Sequence, residues 1–117
     1  MNFDKIDLFD LASKRLQWAS HRQRTIAENI ANSDVAGYRA QEVENFAGYL
    51  ERTRNTATLE RPVVEDMPNT WGTSPSGNNV VVEEQLLEAS SANGQYRLAT
   101  NLYRKAYEMV AAVASGR

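Results

Sequence analysis

A chain of 117 residues has room for one domain, and 13 basic against 15 acidic side chains leave a net charge of −2, without the dense Lys/Arg cluster of a nucleic-acid face. The absence of cysteine excludes a disulfide framework, a thiolate metal site and a cysteine nucleophile. No run approaches the ~20 apolar residues that span a bilayer, and Asp4, Asp7 and Asp10 interrupt the N-terminus where a Sec-type signal needs a basic and then an apolar stretch.

The first long element is a helix predicted from about Asp4 to about Asn32. Phe9, Ala12, Leu16, Ala19, Gln23, Ile26 and Ile30 recur at alternating spacings of three and four, the seam of a helix that packs lengthwise on another. The early aspartates suit the positive end of the helix dipole, and Arg22 and Arg24 lie nearer its negative end. Lys14–Arg15, like Arg104–Lys105, reads as a solvated helix face. Leu11 and Trp18 stand off the seam as bulk for a partner. Asn32, Ser33 and Asp34 end the helix, and Gly37 can take the positive φ of a reversing chain.

A shorter helix is expected from about Glu42 to about Arg54, with Val43, Phe46, Ala47 and Leu50 on one face and Gly48 weakening it. Regularity then fades from Asn55 to Asn79. Thr56, Thr58, Pro62, Pro68, Gly72, Pro75 and Gly77 punctuate this stretch, and each proline forbids a helix interior. A short extended piece fits Leu59 to Val64.

The last helix is predicted from about Val81 to about Ala114, capped by Asn78 or Asn79, with Glu83 and Glu84 in its first turn. Leu86, Ala89, Asn93, Tyr96, Thr100, Tyr103, Tyr107, Val110 and Ala114 form one seam, and Leu98, Leu102, Ala106, Met109 and Val113 a second stripe beside it.

These elements predict an all-α fold. The long terminal helices pair as an antiparallel coiled-coil hairpin, and a partly irregular middle segment containing the short helix loops out from one end. The corresponding divisions are residues 1–34, 35–79 and 80–117. Seam positions filled by alanine, Gln23, Asn93 and Thr100 bury little apolar surface, and one neighbour cannot cover both stripes of the last helix. The expectation is that the termini are mobile in the free chain and order against other copies. The alternative is an intramolecular bundle in which residues 42–54 cover the second stripe.

Catalytic, metal and cofactor residues are not expected. His21 is the only histidine, and its helical neighbours Gln17, Trp18, Arg24 and Thr25 do not complete a metal site. Glu42, Glu44 and Asp66 read as solvated carboxylates, and Tyr96, Tyr103 and Tyr107 as seam residues whose hydroxyls reach the edge. No nucleotide-binding or nucleophile motif occurs. The chain is thus read as neither an enzyme nor a binder of small molecules.

The stretch from Ala27 to Ala40, with Asn29, Ile30, Ala31 and Asn32 ending the first helix and Gly37 and Tyr38 in the turn, resembles the N-terminal signature of bacterial flagellar rod and hook proteins. Val35 and Ala36 stand where a Thr-Pro pair is usual. The stretch from Gly77 to Gln85, and Asn93 to Tyr96 beyond it, is similar to the last helix of the smallest members, those of the proximal rod. The resemblance implies a structural subunit of the flagellar basal body that partners copies of itself and other rod and basal-body proteins. It further implies export through the flagellar type III apparatus without a cleaved signal, assembly in the periplasm into a hollow rod, and a part in torque transmission and motility. The expected packing residues are Phe9, Leu16, Trp18, Ile26, Ile30, Leu86, Tyr96, Leu98, Leu102, Tyr103, Tyr107, Met109, Val110 and Val113. A cytosolic helical adaptor or secretion chaperone, forming a discrete dimer, is the alternative function.

Overall fold

Two long helices lie side by side and a small lobe sits against one end of the pair. In chain order these are α1 (Phe3–Ala31), β1 (Gln41–Val43), α2 (Phe46–Arg52), β2 (Val64–Asp66) and α3 (Val82–Ala114). The computed structural model describes residues 3–55, 59–68 and 75–116; Thr56, Thr58 and Gly72 lie outside them.

The pairing is antiparallel. Phe9 meets Tyr103 at 5.3 Å between ring centroids, Arg22 reaches Glu88 and Gln95, and Asn29 reaches Gln85. At 1.5 Å per residue the 33 residues of α3 extend for about 50 Å, most of the 63 Å long axis. Ala12, Ala19 and Ile26 of α1 are buried against it, as are Gln85, Ala92, Ala99 and Ala106 of α3. The α1 seam is the one read from sequence. On α3 the fully buried row lies one residue earlier than expected, at 85, 92, 99 and 106, while Ala89, Tyr96, Tyr103 and Val110 flank it half-buried. Alanine wins these positions because small side chains bring the two axes closer than leucine would.

The lobe packs on α1 and leaves Leu98, Leu102 and Met109 of the second stripe exposed, so the intramolecular-bundle alternative, in which residues 42–54 cover that stripe, is overturned. α2 begins at Phe46, later than expected, because residues 41–43 are drawn into an antiparallel pairing with β2 that puts Glu42 opposite Glu65. Asn45 caps the helix, its Oδ1 accepting from Gly48 N–H at 2.7 Å. Gly48 accommodates that cap, since a Cβ there would stand 3.2 Å from the same oxygen. The later start turns Tyr49 inward in place of Ala47. Tyr49 is fully buried, and its hydroxyl donates to the Glu60 carbonyl at 2.6 Å.

Trp18 is also corrected. It is buried in the lobe core with Ala19, Tyr49 and Ala99, edge-on to Phe46, and its indole N–H donates to the Glu44 carbonyl at 2.7 Å. Arg15 stacks over both rings, 4.7 Å from Trp18 and 4.6 Å from Phe46, a favourable cation–π arrangement. Lys14, read as solvated, is 2 % exposed. Its ammonium donates to the Thr53 carbonyl at 2.8 Å and pairs with Asp10 at 3.3 Å.

The amide clasp and the candidate assembly surface

Where α1 ends, a group of side-chain amides ties four segments together. Asn29 is 1 % exposed and uses all its capacity. Its Nδ2 donates to the Gln41 carbonyl at 2.8 Å and to Gln85 Oε1 at 3.0 Å. Its Oδ1 accepts from the Gln41 N–H at 2.9 Å and the Tyr38 hydroxyl at 3.0 Å. The exchange with Gln41 is the pair of bonds that another strand would make. β2 bonds the alternate side of this segment, through Met67 N–H to the Ala40 carbonyl and Glu44 N–H to the Val63 carbonyl. One asparagine therefore closes the free edge of β1 as a peptide unit would.

Asn78 and Asn79 do not cap α3, which starts after Val81 without a side-chain cap. Asn78 Nδ2 instead donates to the carbonyls of Asn32 and Val35, at 2.9 and 2.7 Å. Asn79 Oδ1 accepts from the Ala40 N–H. Gly37 and Gly77, with φ of +78° and +85°, pass so close that a Cβ on Gly77 would stand 3.4 Å from Gly37 Cα. Gly37 N–H donates to the Ser76 carbonyl at 2.8 Å. Of the motif residues, Asn29, Asn32, Gly37 and Tyr38 thus join the clasp, Ile30 is half-buried on the seam and Ala31 is exposed. Burial, and then the Glu28 carboxylate, push the Tyr38 phenol above its ordinary value.

The expected packing residues divide in two. Phe9, Leu16, Trp18, Ile26, Ile30, Tyr96, Tyr103, Val110 and Val113 are buried or half-buried within the chain. Leu86, Leu98, Leu102, Tyr107 and Met109 face outward, Leu98 at 59 % exposure. Leu87, missing from that set, is 75 % exposed. It precedes Leu98 by eleven residues, close to three whole turns, so Leu87, Leu98, Leu102 and Met109 fall on one face. Leu8 and Leu11 add exposed surface at the other helix's start.

Between the hairpin and the lobe lies a hollow of about 510 Å³, lined among others by Arg22, Gln41, Glu42, Glu65, Glu88 and Gln95. Glu44, also in its wall, is held by Arg52 at 2.8 Å and accepts from Val63 N–H. Asp66 bonds the Gln41 side chain. His21 is half-buried and accepts weakly from the Gln17 amide. Burial first, and then Arg24 and Arg61, lower its pKa. Among the described residues no group of His, Cys, Asp or Glu is arranged to hold a metal, and no helix is long and apolar enough to cross a membrane.

The profile of the flagella basal body rod protein family matches residues 9–39, which run from Phe9 on the seam to the turn of the clasp. Over that stretch the chain is similar to this family. Its likeness to a curated member extends over nearly its whole length: it is 29 % identical over 121 aligned residues to the flagellar basal body rod protein FlgB of Agrobacterium fabrum (strain C58), covering 90 % of each chain. The family match spans the clasp's Asn29, Asn32, Gly37 and Tyr38, and the full-length likeness takes in α3 as well.

Proposed function

We propose that this chain is a structural subunit of the flagellar basal-body rod, built into that structure through the outward apolar face of its hairpin. The observation that carries the packing scheme is the stripe of Leu87, Leu98, Leu102 and Met109, all exposed beside the row of Gln85, Ala92, Ala99 and Ala106 that is already packed. The stripe runs for about 33 Å along the axis, a length suited to another helix. Large contiguous apolar surface marks an interaction site, and the family relationship favours a rod subunit over a cytosolic adaptor or chaperone.

The reading extends to a place in the proximal part of the rod, to copies of itself and other rod proteins as neighbours, and to passage through the flagellar type III export apparatus into the periplasm. The likeness to a FlgB protein supports the first two, and the last rests on the resemblance of residues 27–40 to flagellar rod and hook proteins. In the assembled rod the subunit would transmit torque by keeping its paired helices packed. Leu98→Asp is the direct test, because Leu98 is exposed and its loss leaves the fold intact. Purified Leu98→Asp protein should keep the helical circular dichroism of the parent, while cells carrying it lose swimming and their basal bodies lack the chain. Normal swimming with the variant present in basal bodies would overturn the packing scheme.

A further inference from the structure

The hollow beside the clasp carries negative charge that the chain does not neutralise. Glu42 and Glu65 face each other directly across β1 and β2, and Glu88 approaches from α3. Arg22, the cation in its wall, already holds Glu88 at 2.5 Å and Gln95 at 2.7 Å. Glu42 and Glu65 enter no ion pair among the described residues, and like charges directly opposed weaken a two-stranded pairing. After burial, Glu65 and Glu88 are what raise the pKa of Glu42.

The far half of α3 has the opposite character. From Val82 to Tyr96 the helix holds Glu83, Glu84 and Glu88 and no basic residue, whereas from Arg97 onward it holds Arg97, Arg104 and Lys105 against Glu108 alone. These three cations are exposed and form no ion pair among the described residues. Glu88 and Gln95, which line the hollow, are followed at seven-residue steps by Leu102 and Met109, so one flank of α3 runs from acidic to apolar. Lys105 borders its apolar part, and Arg97 and Arg104 lie about a third of a turn round the helix from Leu98.

We propose that the acidic hollow of one copy receives the basic, leucine-bearing far half of α3 from a second copy, staggered along the axis. The inference rests on the rod-subunit reading and names the contact that joins neighbours. The apolar stripe supplies the buried area, and the charges fix direction and register, which is where electrostatic complementarity acts most strongly. Hollow and helix half are different surfaces, so the contact is heterologous and repeats with a single polarity instead of closing as a dimer.

A charge exchange tests this in cells lacking the native copy. One variant carries Arg97→Glu, Arg104→Glu and Lys105→Glu; the other carries Glu42→Lys and Glu65→Lys. Each alone should lose swimming and be absent from purified basal bodies. Expressed together they should restore both, because each then meets the opposite charge on its neighbour. Failure of the mixture to restore swimming, or normal swimming by either variant alone, overturns the proposal. Should a variant fold poorly by circular dichroism, zero-length carbodiimide cross-linking of native basal bodies decides. Lys105 joined to Glu42 or Glu65 of another copy supports the contact, and copy-to-copy cross-links that exclude these residues refute it. If Leu98→Asp blocks incorporation while the charge variants do not, the rod reading stands and only the end-to-end pairing falls. If Leu98→Asp incorporates normally, the packing scheme falls first.

Discussion

Replacing Asn29 with alanine tests whether one side-chain amide holds the lobe to the hairpin. The substitution removes both bonds to the Gln41 backbone and those to Gln85 and Tyr38. Leaving a buried polar group without its partner costs about 1–3 kcal/mol. Gln41 borders the hollow, so water can reach its freed backbone groups and the lower half of that range applies to each. Gln85 and Tyr38 can re-orient. The expected loss is about 2–4 kcal/mol, which at a urea dependence near ~1.5–2 kcal/mol per molar lowers the unfolding midpoint by about 1–3 M. Circular dichroism at 222 nm of purified protein in urea measures it. Asn29→Asp separates donor from acceptor: it keeps an oxygen for Gln41 N–H but turns a carboxylate toward the Gln41 carbonyl. That carboxyl should titrate high, so the variant is destabilised at neutral pH and recovers as pH falls and its proton becomes a donor. An Asn29→Ala midpoint within about 0.3 M of the parent, a few tenths of a kcal/mol to about half of one at these slopes, would refute the strand-edge account.

Lys14→Met keeps the aliphatic packing and removes the ammonium that the Thr53 carbonyl and Asp10 share. Loss of about 1–3 kcal/mol is expected, and because Thr53 ends α2, Trp18 fluorescence should change before the helical signal does. Simultaneous transitions at the native midpoint would count against the tether. Acidity should act on the lobe in two directions. Burial first, then Glu65 and Glu88, raise the Glu42 carboxyl, so the folded chain takes up this proton more readily than the unfolded one, and the group adds stability as pH falls from neutral through that raised range. Glu44 behaves oppositely: the hydrogen bond from Arg52 holds its carboxyl low, giving stability that is present above the ordinary value and lost as pH falls through the depressed one. Thermal melts from pH 7 to pH 4 should show Glu42→Gln more stable than the parent at neutrality, with the gain shrinking on acidification, and Glu44→Gln less stable at neutrality. A reversed order would refute the assigned electrostatics.

The hairpin was legible because its signal is redundant. On α1 the apolar row from Phe9 to Ile30 leaves one way to face a partner helix, and the structure uses it. On α3 two rows compete, and a reading weighted by hydrophobic bulk selects Leu86 and Tyr107 where the fold buries Gln85 and Ala106. Close approach of the axes decides between them, and that is a property of the pair, which no single helix displays. The lobe was harder to read for a related reason. Phe46, Ala47 and Leu50 have helical spacing, but Asn45 fixes the helix start and rotates Tyr49 into the core. Trp18 looked like partner-facing bulk because the chain that covers it is 26 residues away. In the clasp, Asn29, Asn32 and Gly37 were recognisable as a helix stop. That Asn29 substitutes for a strand depends on the position of Gln41, which no local pattern encodes.

The alanine row also explains why the outer surface is greasy. Covering α1 with Ala92, Ala99 and Ala106 keeps the helices close, but it leaves the larger residues of α3 little room inside the pair. Leu87, Leu98, Leu102 and Met109 remain outside, on a flank the lobe does not cover. A conventional leucine seam would bury more surface within one chain and leave less for neighbours. Asn29, Asn78 and Asn79 then hold the joined end of the hairpin through directional bonds that need little apolar area. Internal order in the hairpin rests on small residues and amides, so the large apolar side chains of α3 remain exposed, which suits the rod-subunit role proposed for the chain.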